Sequence, residues 1–334
     1  MKSMIWKSAL AAVVLVTGTQ AASAAEKLIF AAQSPAGSPN IKFYGDWVDR
    51  VNKASNGAID MEMRVGETIA NFGNSYDRVQ NDVVQVGWMI PSILGGKYPL
   101  SDVISLPFLV DDTVACAIAY WKLYESGALD KEYHDIQPID TECGGLTFTH
   151  FHKPLQKSDD LAGAKVRVRS KIEGQIMQLL GATPLTLAST EMYEGLRRGT
   201  IDAVNTGYAG FPIYKLNEVT TYHLEVPLGS APMMHFMAKK KFDGLSKEAR
   251  DVLMKEGGLK RSKEMGEYMA ALEQKYRDEG VKMGHTYVQL SPEQLAAWKQ
   301  KITPALNEWE GSRANGKETI AKFESLYKEA LAGK

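Results

Sequence analysis

Strands and helices alternate along this chain, and that alternation limits the fold more than any other feature. Leu28-Ile29-Phe30-Ala31-Ala32 is an apolar run that reads as a buried strand. Tyr44, Trp47, Val48 and Val51 fall at i, i+3, i+4 and i+7, one face of a helix closed by Asn56-Gly57. Ile59, Met61, Met63 and Val65 alternate with polar residues as in a half-buried strand. A loop from Gly66 to Asn74, a helix through Tyr76, Val79 and Gln80, and a strand over Val83–Ile90 follow. Strand–helix–strand–helix–strand predicts βαβ units and a mainly parallel sheet.

The pattern restarts after a helix at Val114–Ser126, with strands predicted at Gly145–Phe151, Ala164–Val168 and Thr200–Val204. A helix runs to Gly181, and another over Glu191–Arg198 is closed by Gly199. The helix–turn–Asp–strand unit occurs twice, ending at Asp82-Val83-Val84 and at Ile201-Asp202-Ala203-Val204, so two similar α/β lobes are expected. From Ser246 the chain reads as helical, with one long amphipathic helix to Glu279. Ser291-Pro292-Glu293-Gln294 is a capping box that starts another. No Pro/Gly/Ser-rich linker separates the lobes, so the chain should cross between them more than once.

Composition narrows the function. In 334 residues, 39 Lys+Arg face 40 Asp+Glu, a formal charge of −1 that offers no broad field for nucleic acid. Lys2 and Lys7, the apolar run Ala9–Val16 and Ala22-Ser23-Ala24 form a secretory leader cleaved after Ala24, too short to span a bilayer. No lipobox cysteine and no second long apolar stretch follow, so a soluble exported protein without membrane insertion is expected. Cys116 and Cys143, the only cysteines, are free to pair or to stay buried thiols, and sequence alone leaves both open.

The chain holds no G-x-S-x-G, G-x-x-x-x-G-K-[ST], G-x-G-x-x-G or H-E-x-x-H motif, which disfavours an enzyme and implies no cofactor. His150 and His152 at i, i+2 would share a strand face, but no third metal ligand stands nearby. His235, beside Met233-Met234, fits a pocket or a core equally. The sharper pattern is Arg167 with Arg169. Alternation on one strand aims both guanidinium groups at one side, next to a helix start near Ser170. Such a fork suits a carboxylate or sulfonate. The competing reading is a surface ion pair with Asp159 or Asp160.

Three segments decide between them: Asp160-Leu161-Ala162-Gly163-Ala164-Lys165-Val166-Arg167, Leu180-Gly181-Ala182-Thr183-Pro184, and Glu191 to Asp202, which includes Tyr193, Leu196, Gly199 and Ile201. In this order and spacing they resemble the solute-binding proteins of TRAP (tripartite ATP-independent periplasmic) transporters over nearly the whole mature chain. The resemblance implies a two-lobed α/β periplasmic binding protein with a long helix bridging both lobes. It implies that Arg167 forms the salt bridge to an organic anion, and that the closed form docks on a TRAP membrane permease. Lobe I is expected from 25–145 plus about 233–270, lobe II from 146–232 plus about 285–334, and the bridging helix near 260–280.

Thr147 and Asn205 stand where some relatives carry a second arginine and an acid, which argues against a sugar acid. Trp88, Asn71, Phe72, Tyr208 and Phe211 fall in loops at strand ends, where an α/β crevice binds ligands. Glu67 either accepts a hydroxyl or ammonium group or closes a turn. A receptor feeding a sensor, an ABC-type receptor, and a secreted α/β enzyme using His150, His152 or Cys143 are the alternatives.

Overall fold

The computed structural model describes residues 25–157 and 159–333. The leader expected at 1–24 lies outside the described residues. The first strands are β1 (Glu26–Ala32), β2 (Ile59–Val65), β3 (Gly87–Met89), β4 (Ile136–Pro138), β5 (Glu142–Leu146) and β6 (Phe148–Phe151). They are followed by β7 (Lys165–Val168), β8 (Thr183–Thr186), β9 (Ala203–Thr206), β10 (Tyr222–Leu224), β11 (Ser230–Ala238) and β12 (Thr286–Val288).

In lobe I, β1 pairs in parallel with β2, and Val86 extends that pairing through a bridge to Phe30. Helix Pro39–Ala54 buries Tyr44, Trp47, Val48 and Val51, the face its periodicity predicts. The strand expected over Val83–Ile90 shrinks to β3, because Asp82 takes a left-handed turn (φ 56°) just before it. The rest of the lobe I sheet is not parallel: β11 runs antiparallel to β3, β4 and β5. Lobe II carries a six-stranded sheet in the order β12-β10-β6-β9-β7-β8, parallel at β7–β8, β7–β9 and β10–β12.

The strand predicted over Gly145–Phe151 is two strands in two sheets. It breaks because Gly145 adopts φ +86° and Leu146 N–H turns to Glu273 instead of a ladder partner (2.7 Å). This is one crossover between lobes, and the segment from β10 to β11 is another. The long helix Gly258–Lys282 bridges them. Its Met265 and Met269 join the lobe I core, while Arg277 reaches Glu225, just past β10 of lobe II, at 2.7 Å. Ser291 and Gln294 form the predicted capping box on helix Pro292–Gly311. The last helix, Gly316–Ala332, returns to pack on helix Thr113–Glu125 of lobe I, where the Tyr327 hydroxyl accepts from Asp111 and Asp112 N–H. Helix Pro292–Gly311, in contrast, packs on helix Lys171–Leu179. Cys116, on helix Thr113–Glu125, is disulfide-bonded to Cys143 on β5. No helix among the described residues is long and apolar enough to cross a membrane.

Candidate functional site

β7 positions the cleft's cationic floor. Its neighbours β8 and β9 run parallel to it, so the carboxyl ends of the three strands open on one side. Arg167 pairs in register with Leu185 and Val204 and points to that side. The chain leaving β8 then supplies two acceptors: Arg167 Nε donates to Leu187 O and Nη2 to Ser189 Oγ, both at 3.0 Å. The side chain is buried, with 4 % exposed. Burial, and behind it the charge of Arg169, push the guanidinium down to about 10, so it stays cationic at neutral pH. Two of its five N–H donors are spent on these oxygens, leaving both on Nη1 and one on Nη2.

Arg169 follows β7 and lines the same cleft, as strand alternation predicts. Its partner is neither Asp159 nor Asp160. Arg169 Nη2 forms an ion pair with Glu173 and donates to Thr147 Oγ1 at 2.8 Å. Glu173 Oε2 also accepts Arg169 N–H at 2.8 Å. Ser170 caps the helix Lys171–Leu179 from Glu173 N–H, so helix start and ion pair are one structure. Asp160 caps Ala162 N–H instead.

The cleft has two joined recesses. The inner one, about 70 Å³, is walled by Phe72, Trp88, Ile90, Met233, Met269 and Tyr214, with Arg167 and Arg169 at its polar end. Phe72 and Trp88 meet edge to face at 4.7 Å. The outer one, about 430 Å³, is less apolar than the inner and is bordered by Glu67, Asn71, Ser189 and Glu191 as well as Ile93 and Leu187. Dry cavities that take benzene are roughly 150 Å³, so a one-ring ligand must reach from the inner recess into the outer. Burial raises the Glu67 carboxyl above its usual range. Asn71 closes a turn reciprocally with Asn74 while also lining the outer recess.

The structure thus brings Arg167, Arg169, Trp88, Phe72, Asn71 and Glu67 to one cleft. Thr147 lies behind it, buried against Arg169. Asn205 is buried on β9, accepting from Thr149 Oγ1 at 2.9 Å, and does not line either recess. Tyr208 and Phe211 do not face the cleft. They pack in the lobe II core around His150, and the Tyr208 hydroxyl donates to Glu225 at 3.0 Å. Sequence reading missed Ser189, Glu173, Tyr214 and Met269. Of these only Glu173 carried a local signal, the Ser170-x-x-Glu173 capping spacing.

The histidines are not arranged as a metal centre around the predicted pair. His150 Nε2 meets Thr206 O at 3.1 Å and its Nδ1 meets His223 Nδ1 at 2.9 Å, while His223 Nε2 meets His285 at 3.0 Å. The carbonyl fixes His150 as the Nε2–H tautomer, so each ring donates inward along the chain. His152 instead meets Val219 O. Asp140, Glu142 and His235, all buried, are the one group of three among the described residues close enough to hold a cation. His235 Nδ1 lies 3.0 Å from Asp140 and from Glu142, and Arg261 lies 3.7 Å from Asp140. Two carboxylates facing an imidazolium and a guanidinium balance without a metal.

Two sheet-based lobes joined by several crossovers, with an arginine-floored cleft between them, define a solute-binding protein. The model of the DctP family, bacterial extracellular solute-binding protein family 7, matches residues 30–312, and the chain belongs to this family. It is 26% identical over 308 residues, 90% of each chain, to the C4-dicarboxylate-binding periplasmic protein DctP of Rhodobacter capsulatus. A TRAP solute-binding protein from a marine metagenome, described as specific for aromatic acid ligands and crystallised with 3-hydroxybenzoate, superposes with a TM-score of 0.86 at 24% identity. The match covers 92% of this chain and 99% of that one. A TRAP solute-binding protein of Rhodoferax ferrireducens with copurified benzoate gives 0.85 at 23% identity, with 92% and 99% covered.

Proposed function

We propose that this protein is a periplasmic receptor that captures a small organic carboxylate in the cleft and delivers it to a TRAP permease. A sulfonate is the second ligand class. The observation that carries the reading is Arg167: a buried, pre-oriented guanidinium beside an aromatic wall. The ligand's anionic group meets Arg167, its apolar body packs on Phe72 and Trp88, and Asn71 or Glu67 receives any polar group at the far end. Closure of the lobes removes water and strengthens the ion pair by lowering the local dielectric. The work is capture rather than catalysis. Aromatic acids bound by relatives of the same fold support the same ligand class.

The test is a thermal-shift screen after refolding to strip carried-over ligand, against carboxylates, sulfonates, amino acids and sugar acids. Ligands that bind the native state raise the melting midpoint. A shift with small carboxylates that disappears in Arg167→Ala supports the reading. Equal shifts in both proteins refute Arg167 as the anion anchor.

A further inference from the structure

Two arginines border one cleft, yet they do not present two free charges. Arg169 is already engaged: its guanidinium pairs with Glu173, and the side-chain exposures of the pair are 6 % and 3 %. Glu173 is a residue of the helix Lys171–Leu179 and its second oxygen holds Arg169 N–H. The pair is held on both sides, Arg169 by Thr147 Oγ1 and Glu173 by Arg169 N–H. Arg167, in contrast, donates only to two neutral oxygens, Leu187 O and Ser189 Oγ. The other charged residues along the cleft are acids, Glu67 and Glu191, both bordering the outer recess.

From this arrangement we infer that Glu173 sets the charge selectivity of the cleft: by neutralising Arg169 it leaves the single positive charge of Arg167, so monoanionic acids are taken and dianionic ones rejected. The inference rests on the proposed role of Arg167 as the anion anchor. A second carboxylate on the ligand would lie either against the spent Arg169 or among Glu67 and Glu191. Either position strips its water and returns no opposite charge. Glu173 does not touch the ligand. It acts through Arg169, as a positioning residue for charge.

The experiment measures dissociation constants by calorimetry at pH 7.5 for two matched pairs, benzoate with isophthalate and butyrate with succinate. The proteins are the wild-type chain, Glu173→Gln, Arg169→Gln and the double variant. The readout is the ratio of diacid to monoacid affinity within a pair, which a general loosening of the site does not move.

In the wild type the monoacid binds at least tenfold tighter than its diacid. In Glu173→Gln, which keeps shape but frees the Arg169 charge, the preference falls by tenfold or more. In the double variant the arginine end of the cleft returns to one net positive charge and the ratio comes back to within threefold of wild type. A Glu173→Gln ratio unchanged within threefold overturns the inference. So does a double variant that keeps the altered ratio, or a wild type that prefers the diacids. Should Glu173→Gln fail to fold, the double variant and Arg169→Gln still decide. Arg169→Gln leaves Glu173 unopposed and must weaken the monoacids by tenfold or more, and monoacid affinity within threefold of wild type there overturns the inference. A wild type that binds neither pair defeats the Arg167 reading itself, and this inference with it.

Discussion

Leu187 O and Ser189 Oγ fix the orientation of the Arg167 guanidinium, so in the role proposed for it little is left for a ligand to organise. Lysine in its place keeps the charge but cannot donate from a planar fork to Leu187 O, Ser189 Oγ and an anion together. Arg167→Lys is therefore expected to weaken carboxylate binding by roughly ten- to a hundredfold, since charge-assisted bonds contribute about 1.5–3 kcal/mol. Ser189→Ala removes one orienting bond and should weaken binding by about fivefold, on the order of 1 kcal/mol. Calorimetric titration with the best ligand from the screen checks both. Wild-type affinity in Arg167→Lys would show that charge alone matters and that the fork does not. The place of Arg167 in the cleft was legible because its strand alternation and its flanking segments both point to a strand end that opens there. The places of Tyr208 and Phe211 were not. An aromatic residue after a strand reads the same whether it faces a cleft or a core, and only the packing around His150 decides.

The elements show the same divide between local and non-local information. Helix Pro39–Ala54 and the capping box at Ser291 follow from residues within a few positions of each other, and both stand where the pattern puts them. The break between β5 and β6 does not. Gly145 to Phe151 carries an uninterrupted strand-like pattern, and the contact that turns Leu146 N–H out of it comes from Glu273, 127 residues away. Glu273 also accepts from Thr113 Oγ1 at 2.7 Å, tying the bridging helix to the start of helix Thr113–Glu125 and to the crossover at once. A Cβ at Gly145 (φ +86°) would run into that carboxylate, so glycine is needed where the chain passes between lobes there. The disulfide is another element-level fact that spacing left open. It joins helix Thr113–Glu125 to β5 across 27 residues. A closed loop of that size stabilises by roughly 3–4 kcal/mol through the unfolded chain. The Cys116→Ala/Cys143→Ala protein should lose about that much in urea unfolding. A loss below about 1 kcal/mol would mean that packing of Cys116 and Cys143, both fully buried, already fixes that contact.

At the scale of the whole molecule, buried ionisable groups tie the stability of the fold to pH, and their signs differ between lobes. In lobe I burial works against a charged His235, but Asp140 and Glu142 outweigh it and hold the imidazole up at about 9. In lobe II burial drives His150 down to about 3, and His223 is also lowered, chiefly by burial. A histidine raised above its unfolded value stabilises fully below about pH 6.5, and that contribution is lost as pH climbs to 9. Asp102 and Glu273, both raised by burial to about 7, also hold protons that the unfolded chain has released, so they act in the same direction up to that pH. His150 and His223 are neutral in both states above 6.5 and stay silent there. Asp140, lowered despite its burial chiefly by His235, is ionised in both states across this window. Every group that titrates between pH 7 and 9 in this set therefore makes the folded state bind more protons than the unfolded one. The free energy of unfolding should fall across that window by roughly 1.4 kcal/mol per pH unit for each proton released. Below 6.5 the lobe II histidines pull the other way, losing stability as they are forced to accept protons, while Asp102 and Glu273 offset them down to about pH 4. Acid unfolding should accordingly set in steeply only below about pH 4. Urea unfolding at pH 5, 7, 8 and 9 tests this. Stability nearly level from 5 to 6.5 and then declining toward 9 is expected, and a curve that instead stays level between 7 and 9 would show that His235 is neutral between its two carboxylates.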